Sequence, residues 1–165
     1  MKKFSIVIIV INLIGLLIYF NYSIRQKERI LKDGTLVLLD LAPVDPRSLI
    51  QGDYMNLSYQ IAQNFPVDSI PKRGFIVLTL DKNQVGHPVR YQQHREPLNS
   101  GEFLIEYTSP NSWQLNIGAE SFFFEEGTGE RYEKAKYGGL KIDEHGNSLL
   151  IGLYDGERKE IRRGM

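Results

Sequence analysis

The chain has 165 residues, with 20 Lys and Arg against 20 Asp and Glu, and no Cys. That length suits one modest domain, and a net charge near zero leaves no electrostatic footprint for a phosphate backbone, which argues against nucleic acid as a partner. The missing Cys excludes disulfides, cysteine-ligated zinc and cysteine nucleophiles.

The apolar residues are concentrated at the N-terminal end. Phe4 to Phe20 contains no charge, and Ser5 and Asn12 are its only strongly polar side chains. As a helix this run spans roughly 25 Å, and continuing to Tyr22 brings it close to the roughly 30 Å of a bilayer's hydrocarbon core. Tyr19 and Tyr22 then fall at the interface, where amphipathic rings prefer to sit. A cleaved signal peptide shares the basic start and apolar core but needs small residues at its exit. Here the exit reads Ile18-Tyr19-Phe20-Asn21-Tyr22-Ser23. The bulky side chains point to an uncleaved anchor in a cell membrane, with the lipid bilayer as the partner of Phe4 to Phe20. Lys2 and Lys3 oppose Arg25, Lys27, Arg29 and Lys32 under the positive-inside rule. The short basic start looks like an export signal, so the body is expected outside the cytoplasm.

The expected organisation is an anchor over 1–22, a connector over 23–33 and a soluble body over 34–165. Ser23 to Lys32 reads as a helical continuation or a charged stalk. Thr35–Leu41 is a short apolar strand, and Tyr54–Ala62 alternates Met55, Leu57, Tyr59 and Ile61 against polar residues, the pattern of a half-buried strand. Phe75–Leu80 and Val85–Gln92 flank Asp81 to Gln84 as a hairpin. Phe103–Tyr107, Trp113–Ile117 and Ser121–Phe124 are further strands between turn-forming clusters. Gly139–Ile142 and Ser148–Tyr154 make a second hairpin, with Gly146 placed where positive φ is required.

Two short helices interrupt the strands. Thr128 is placed to cap Gly129–Lys136 with Gly138 as its stop, and Asp45 to cap a turn that begins at Pro46 and ends at Gly52. The fold class is therefore mainly β (α+β): an N-terminal transmembrane helix, then one β-rich barrel- or sandwich-like domain with one or two short helices.

The most specific stretch is Leu41 to Tyr59. Gly52-Asp53-Tyr54, then Leu57 and Tyr59, fills every fixed position of the pattern GDYxxLxY, and the chain resembles the bacterial family named after it. Pro43 to Leu49 looks like the rest of that family's core, and Tyr132 to Leu153 is similar to its C-terminal half. The resemblance implies an N-terminal membrane segment and genes lying near those of multi-pass membrane proteins. It implies no reaction. Physically, a Pro-flanked turn followed by Gly and a strand fixes a tight corner at which Asp45, Arg47, Gly52, Asp53 and Tyr54 converge. Arg47 can pair with either carboxylate or present its planar fork to a bound anion. These five residues are the candidate ligand or partner site, and Tyr59 is expected in the core beside Met55 and Leu57.

P-R-S-L-I-Q-G-D also resembles the run after the nucleophile in type I signal peptidases, but Val44 stands where the reactive Ser belongs and cannot attack a carbonyl. Ser48 with Lys72 or Lys134 as base is the fallback hydrolase reading. His87, His94 and His145 form no ligand spacing, and the acids Glu125, Glu126, Glu130 and Glu133 are placed as a helix start prefers. No metal or cofactor is expected. Ser121 to Phe124 is either a buried strand or an exposed aromatic docking patch, and the basic tail of Arg158, Lys159, Arg162 and Arg163 reads as a frayed end.

The reading is a non-enzymatic accessory or binding subunit of another integral membrane protein. The alternatives are a membrane-surface hydrolase and a small-ligand sensor with a pocket near Trp113 and Tyr59.

Overall fold

The computed structural model describes residues 2–42, 54–63, 65, 70–111, 114–125 and 127–162. Helix α1 runs unbroken over Lys2–Asp33, so the apolar run and the charged connector are one helix roughly 48 Å long. It ends where Gly34 donates its N–H to the Ile30 carbonyl at 2.9 Å. A Cβ at Gly34 would collide with that same carbonyl, so a bulkier residue does not fit the exit.

The strands are β1 (Thr35–Asp40), β2 (Tyr54–Asn56), β3 (Arg73–Leu80), β4 (Gly86–Gln92), β5 (Glu102–Asn111), β6 (Gln114–Asn116), β7 (Ser121–Phe123), β8 (Tyr137–Ile142) and β9 (Ser148–Tyr154). They form three antiparallel sheets, ordered β1-β8-β9, β2-β7 and β4-β3-β5-β6. Isolated bridges tie the sheets together, Leu38 to Val85 and Leu41 to Tyr59. No closed barrel forms among the described residues, and the architecture is α+β.

Val37, Leu38 and Leu39 are buried in succession because β1 is covered on both faces. Val37 and Leu39 enter the main core with Ile76, Leu78, Ile105 and Leu140, while Leu38 joins Val85 and Tyr154 in a smaller cluster. This explains a strand that reads as a continuous apolar run rather than an alternation.

Three turns share one geometry. Asp81, Asp143 and Asp155 each accept at Oδ1 from the backbone N–H groups two and four residues on, over 2.7 to 3.0 Å. The residue three on takes positive φ each time: Gln84 at 65°, Gly146 at 87° and Arg158 at 63°. The first two turns close the β3–β4 and β8–β9 hairpins as expected. The third folds the C-terminal tail back onto β9, where Glu160 bridges Tyr154 and Ile161 donates to the Leu153 carbonyl at 2.8 Å. Through Ile161 the tail is therefore paired rather than frayed.

Other expectations need correction. The strand expected over 54–62 stops at Asn56, because its partner β7 begins opposite, at Ser121. A short helix α2 occupies Gln60–Gln63. Met55, Leu57, Tyr59 and Ile61 are nonetheless all buried, so the alternation reports burial correctly and strand length wrongly. The helix after Thr128 is a 3-10 helix over Gly129–Lys134. Thr128 donates its hydroxyl to the Glu125 carbonyl instead of capping it, and Gly138 lies inside β8. The turn expected from Asp45 to Gly52 lies outside the described residues.

Candidate functional site

Of the five residues singled out in the sequence, Tyr54 alone is described; Asp45, Arg47, Gly52 and Asp53 lie outside the described residues, as do Ser48 and Trp113. The second half of the motif is structural. Leu57 and Tyr59 are buried in the main core, and the Tyr59 hydroxyl donates to the Ala119 carbonyl at 2.8 Å. Burial, with the Glu120 charge as a smaller cause, pushes that phenol far above its ordinary range, so it is a fixed donor. Tyr59 thus clasps the end of β1, through its bridge to Leu41, to the loop before β7.

Tyr54 takes a different path. It pairs with Phe123 across β2 and β7, and the two rings lie 5.8 Å apart at 39°. Phe122 and Phe124 are buried against Tyr132, while Phe123 is 66% exposed. The run of three Phe is therefore a core strand that turns one ring outward. An aromatic ring held open beside the family's own motif is the kind of anchor that binding surfaces use.

Phe123 also lines a cleft of about 1460 Å³ between the outer turns of α1 and the β body. The helix wall carries Tyr22, Ser23, Gln26, Lys27 and Arg29; the body wall includes Leu98, Phe103, Glu106, Phe123 and Glu144. Two contacts at its closed end set the angle between the walls. Ile30 is buried where α1 meets the body, and Lys141 donates from Nζ to the Gly34 carbonyl at 2.7 Å.

The opposite rim rests on an ion pair. Arg90 forks onto Glu102 with N···O distances of 2.6 and 2.8 Å. It also donates to the Pro97 carbonyl at 2.9 Å, and Glu102 accepts from the Asn99 N–H at 2.8 Å. These bonds fix the loop that carries Leu98. The guanidinium, then the Asn99 N–H, hold the Glu102 carboxyl down at about 2.

Lys72 and Lys134 are exposed, as are His87, His94 and His145. Among the described residues no three His, Asp or Glu side chains come together as metal ligands would.

The cleft escaped the sequence reading. Its signals are faint: the basic residues Arg25 to Lys32 after an apolar helix, and one Phe in a run of three.

The molecule is thus a β body joined to an N-terminal helix that is long and apolar enough to cross a membrane. More narrowly, the chain belongs to the GDYXXLXY protein family, whose model matches residues 16–153. The match begins inside α1, so the family pattern includes the junction between helix and body. No curated protein and no solved structure matches the chain.

Proposed function

We propose that this chain is a single-pass membrane protein whose β body, outside the cytoplasm of a bacterial cell, works as a non-enzymatic binding subunit for another integral membrane protein. The observation that carries this reading is the unbroken course of α1. A body hung on a flexible linker samples every height above a bilayer. Here the helix that would cross the membrane continues to the first strand and is pinned by Ile30 and by the Lys141 to Gly34 bond. A rigid standoff of this kind suits contact with a partner at a set distance from the lipid surface.

The contact surface in this reading is the Tyr54–Phe123 pair, next in the chain to the Asp45, Arg47, Gly52 and Asp53 segment. Desolvating an exposed Phe ring at the centre of an interface is worth about 2 kcal/mol or more.

The experiment is extraction in mild detergent from native cells, followed by purification through a C-terminal tag. An integral membrane protein is expected to copurify, and Phe123→Ser is expected to reduce its recovery at least tenfold while leaving the tagged chain's own yield unchanged. Recovery of the tagged chain without any membrane protein overturns the proposal.

A further inference from the structure

The cleft beside α1 has the size, position and charge to receive one more helix. It extends along α1 from Tyr22 to Asp33, a rise of roughly 16 Å. A cylinder of that length and the roughly 10 Å width of a helix with its side chains encloses about 1,300 Å³. The cleft holds about 1460 Å³. It opens at Tyr22, still within the uncharged stretch that ends at Ile24, so an occupant that runs alongside α1 rises out of the same membrane.

The charges narrow the choice. On the body wall stand Glu106 and Glu144, and Glu102 is already engaged by Arg90. A complementary helix is therefore basic just outside the membrane. Residues 23–33 of α1 itself carry Arg25, Lys27, Arg29 and Lys32 against Glu28 and Asp33, four cations to two acids. The face of α1 turned to the cleft also continues into the apolar segment. Ile30, Gln26 and Ser23 are followed at helical spacing by Tyr19, Gly15 and Asn12. Within that segment Gly15 and Asn12 are the small and the polar residue that membrane helices use to pack together. Gly15 has open space where a Cβ would project, and Asn12 is exposed while donating to the Ile8 carbonyl at 3.0 Å.

We propose that the cleft is filled by α1 of a second copy of this chain, in a parallel two-fold dimer. Each outer helix lies between the partner's α1 and the partner's body, so one contact is made twice, as a two-fold interface requires. Asn12 faces Asn12 across the axis, and Arg25 and Lys32, on the face of each helix turned away from its own cleft, meet Glu106 and Glu144 of the other protomer. The inference rests on the membrane-anchored part of the reading above; because Phe123 lines the same cleft, the second copy and a different membrane protein compete for that ring.

The chain has no Cys, so single-Cys variants report contacts without background. Membranes are first washed at high pH; loss of the chain from them counts against the anchor, and with it against both proposals. In washed membranes, Gly15→Cys and Ser23→Cys are expected to oxidise to a disulfide-linked homodimer. Leu17→Cys and Glu28→Cys, on the far side of α1, are expected to remain mostly monomeric. The detergent-solubilised chain is expected at twice the protomer mass by light scattering. Glu106→Lys with Glu144→Lys should return it to the monomer mass, and adding Arg25→Glu with Lys32→Glu should restore the dimer. A monomer mass for the unaltered chain, equal crosslinking from both helix faces, or Ser23→Cys crosslinks only to a different protein would each overturn the dimer. The last of these would leave the binding-subunit reading standing.

Discussion

The ring of Tyr59 occupies the space that a side chain on Gly138 would need: a Cβ built there lies 2.8 Å from both the ring edge and the hydroxyl. The last residue of the family motif thus fixes the identity of a residue on β8. Replacing Gly138 by Ala forces the buried Tyr59 ring, and with it the bond to Ala119, out of place. Overpacking of this kind costs about 1–3 kcal/mol. Thermal unfolding of the detergent-solubilised Gly138→Ala chain, followed by far-ultraviolet circular dichroism, should show a lower Tm. An unchanged Tm would mean that the ring has room to move.

Two buried tyrosines should respond oppositely to the same substitution. Tyr59→Phe removes a hydroxyl that satisfies the Ala119 carbonyl, and the expected loss is about 1–2 kcal/mol. Tyr107 stacks edge-on against Tyr91 at 6.1 Å over Gly74, but its hydroxyl is buried with no hydrogen-bond partner among the described residues. Tyr107→Phe removes a desolvated polar group while keeping the ring, so stability is expected to stay level or rise by about 1 kcal/mol. A denaturant midpoint shifted downward by Tyr107→Phe would contradict this.

These pairs also show what the sequence makes legible. Strand positions follow from local alternation and turn residues, and β3, β4 and β9 lie where Phe75 to Leu80, Val85 to Gln92 and Ser148 to Tyr154 place them. The matching of Tyr59 with Gly138, Tyr107 with Gly74 and Tyr154 with Gly139 joins residues that periodicity cannot connect. The cleft is harder still. Its opening angle depends on Ile30 and on a bond between residues 107 positions apart, Gly34 and Lys141. No local pattern encodes such an angle. The motif itself is conspicuous in the sequence, yet its pattern does not separate Tyr54, stacked under an exposed ring, from Leu57 and Tyr59, which serve the core.

The three Asp-anchored turns lead to a stabilising prediction. Gly146 meets the need for positive φ without strain, whereas Gln84 and Arg158 hold the same conformation with a Cβ. An L-residue there costs roughly 1–2 kcal/mol, partly offset by the greater unfolded-state freedom of Gly. Gln84→Gly and Arg158→Gly should therefore each stabilise by about 0.5–1 kcal/mol and add when combined, since the two turns are separate. A fall in Tm for either variant would show that its side chain contributes more than its backbone strain costs.

The Arg90–Glu102 pair should make stability depend on acid in a defined window. The Glu102 carboxyl titrates at about 2 in the folded chain, against 4.5 for an unperturbed Glu. A carboxylate with a depressed folded pKa binds fewer protons than in the unfolded chain, so its contribution is complete above about 4.5 and is lost as pH falls toward about 2. Asp81 shifts in the same direction, chiefly because it accepts the Val85 N–H, and so adds to the acid sensitivity. Comparison with Glu102→Gln isolates the pair, since Gln cannot titrate. The stability difference between the two chains should be constant from neutral pH down to about 5 and then shrink steadily through the window set by the two pKa values. Salt should reduce it only modestly, because Arg90 holds Glu102 through two charge-assisted hydrogen bonds on a side chain that is 8% exposed. Denaturant titrations at half-unit pH steps would measure the difference. A gap that persists unchanged to the lowest pH would mean that Glu102 acts through packing rather than through its charge.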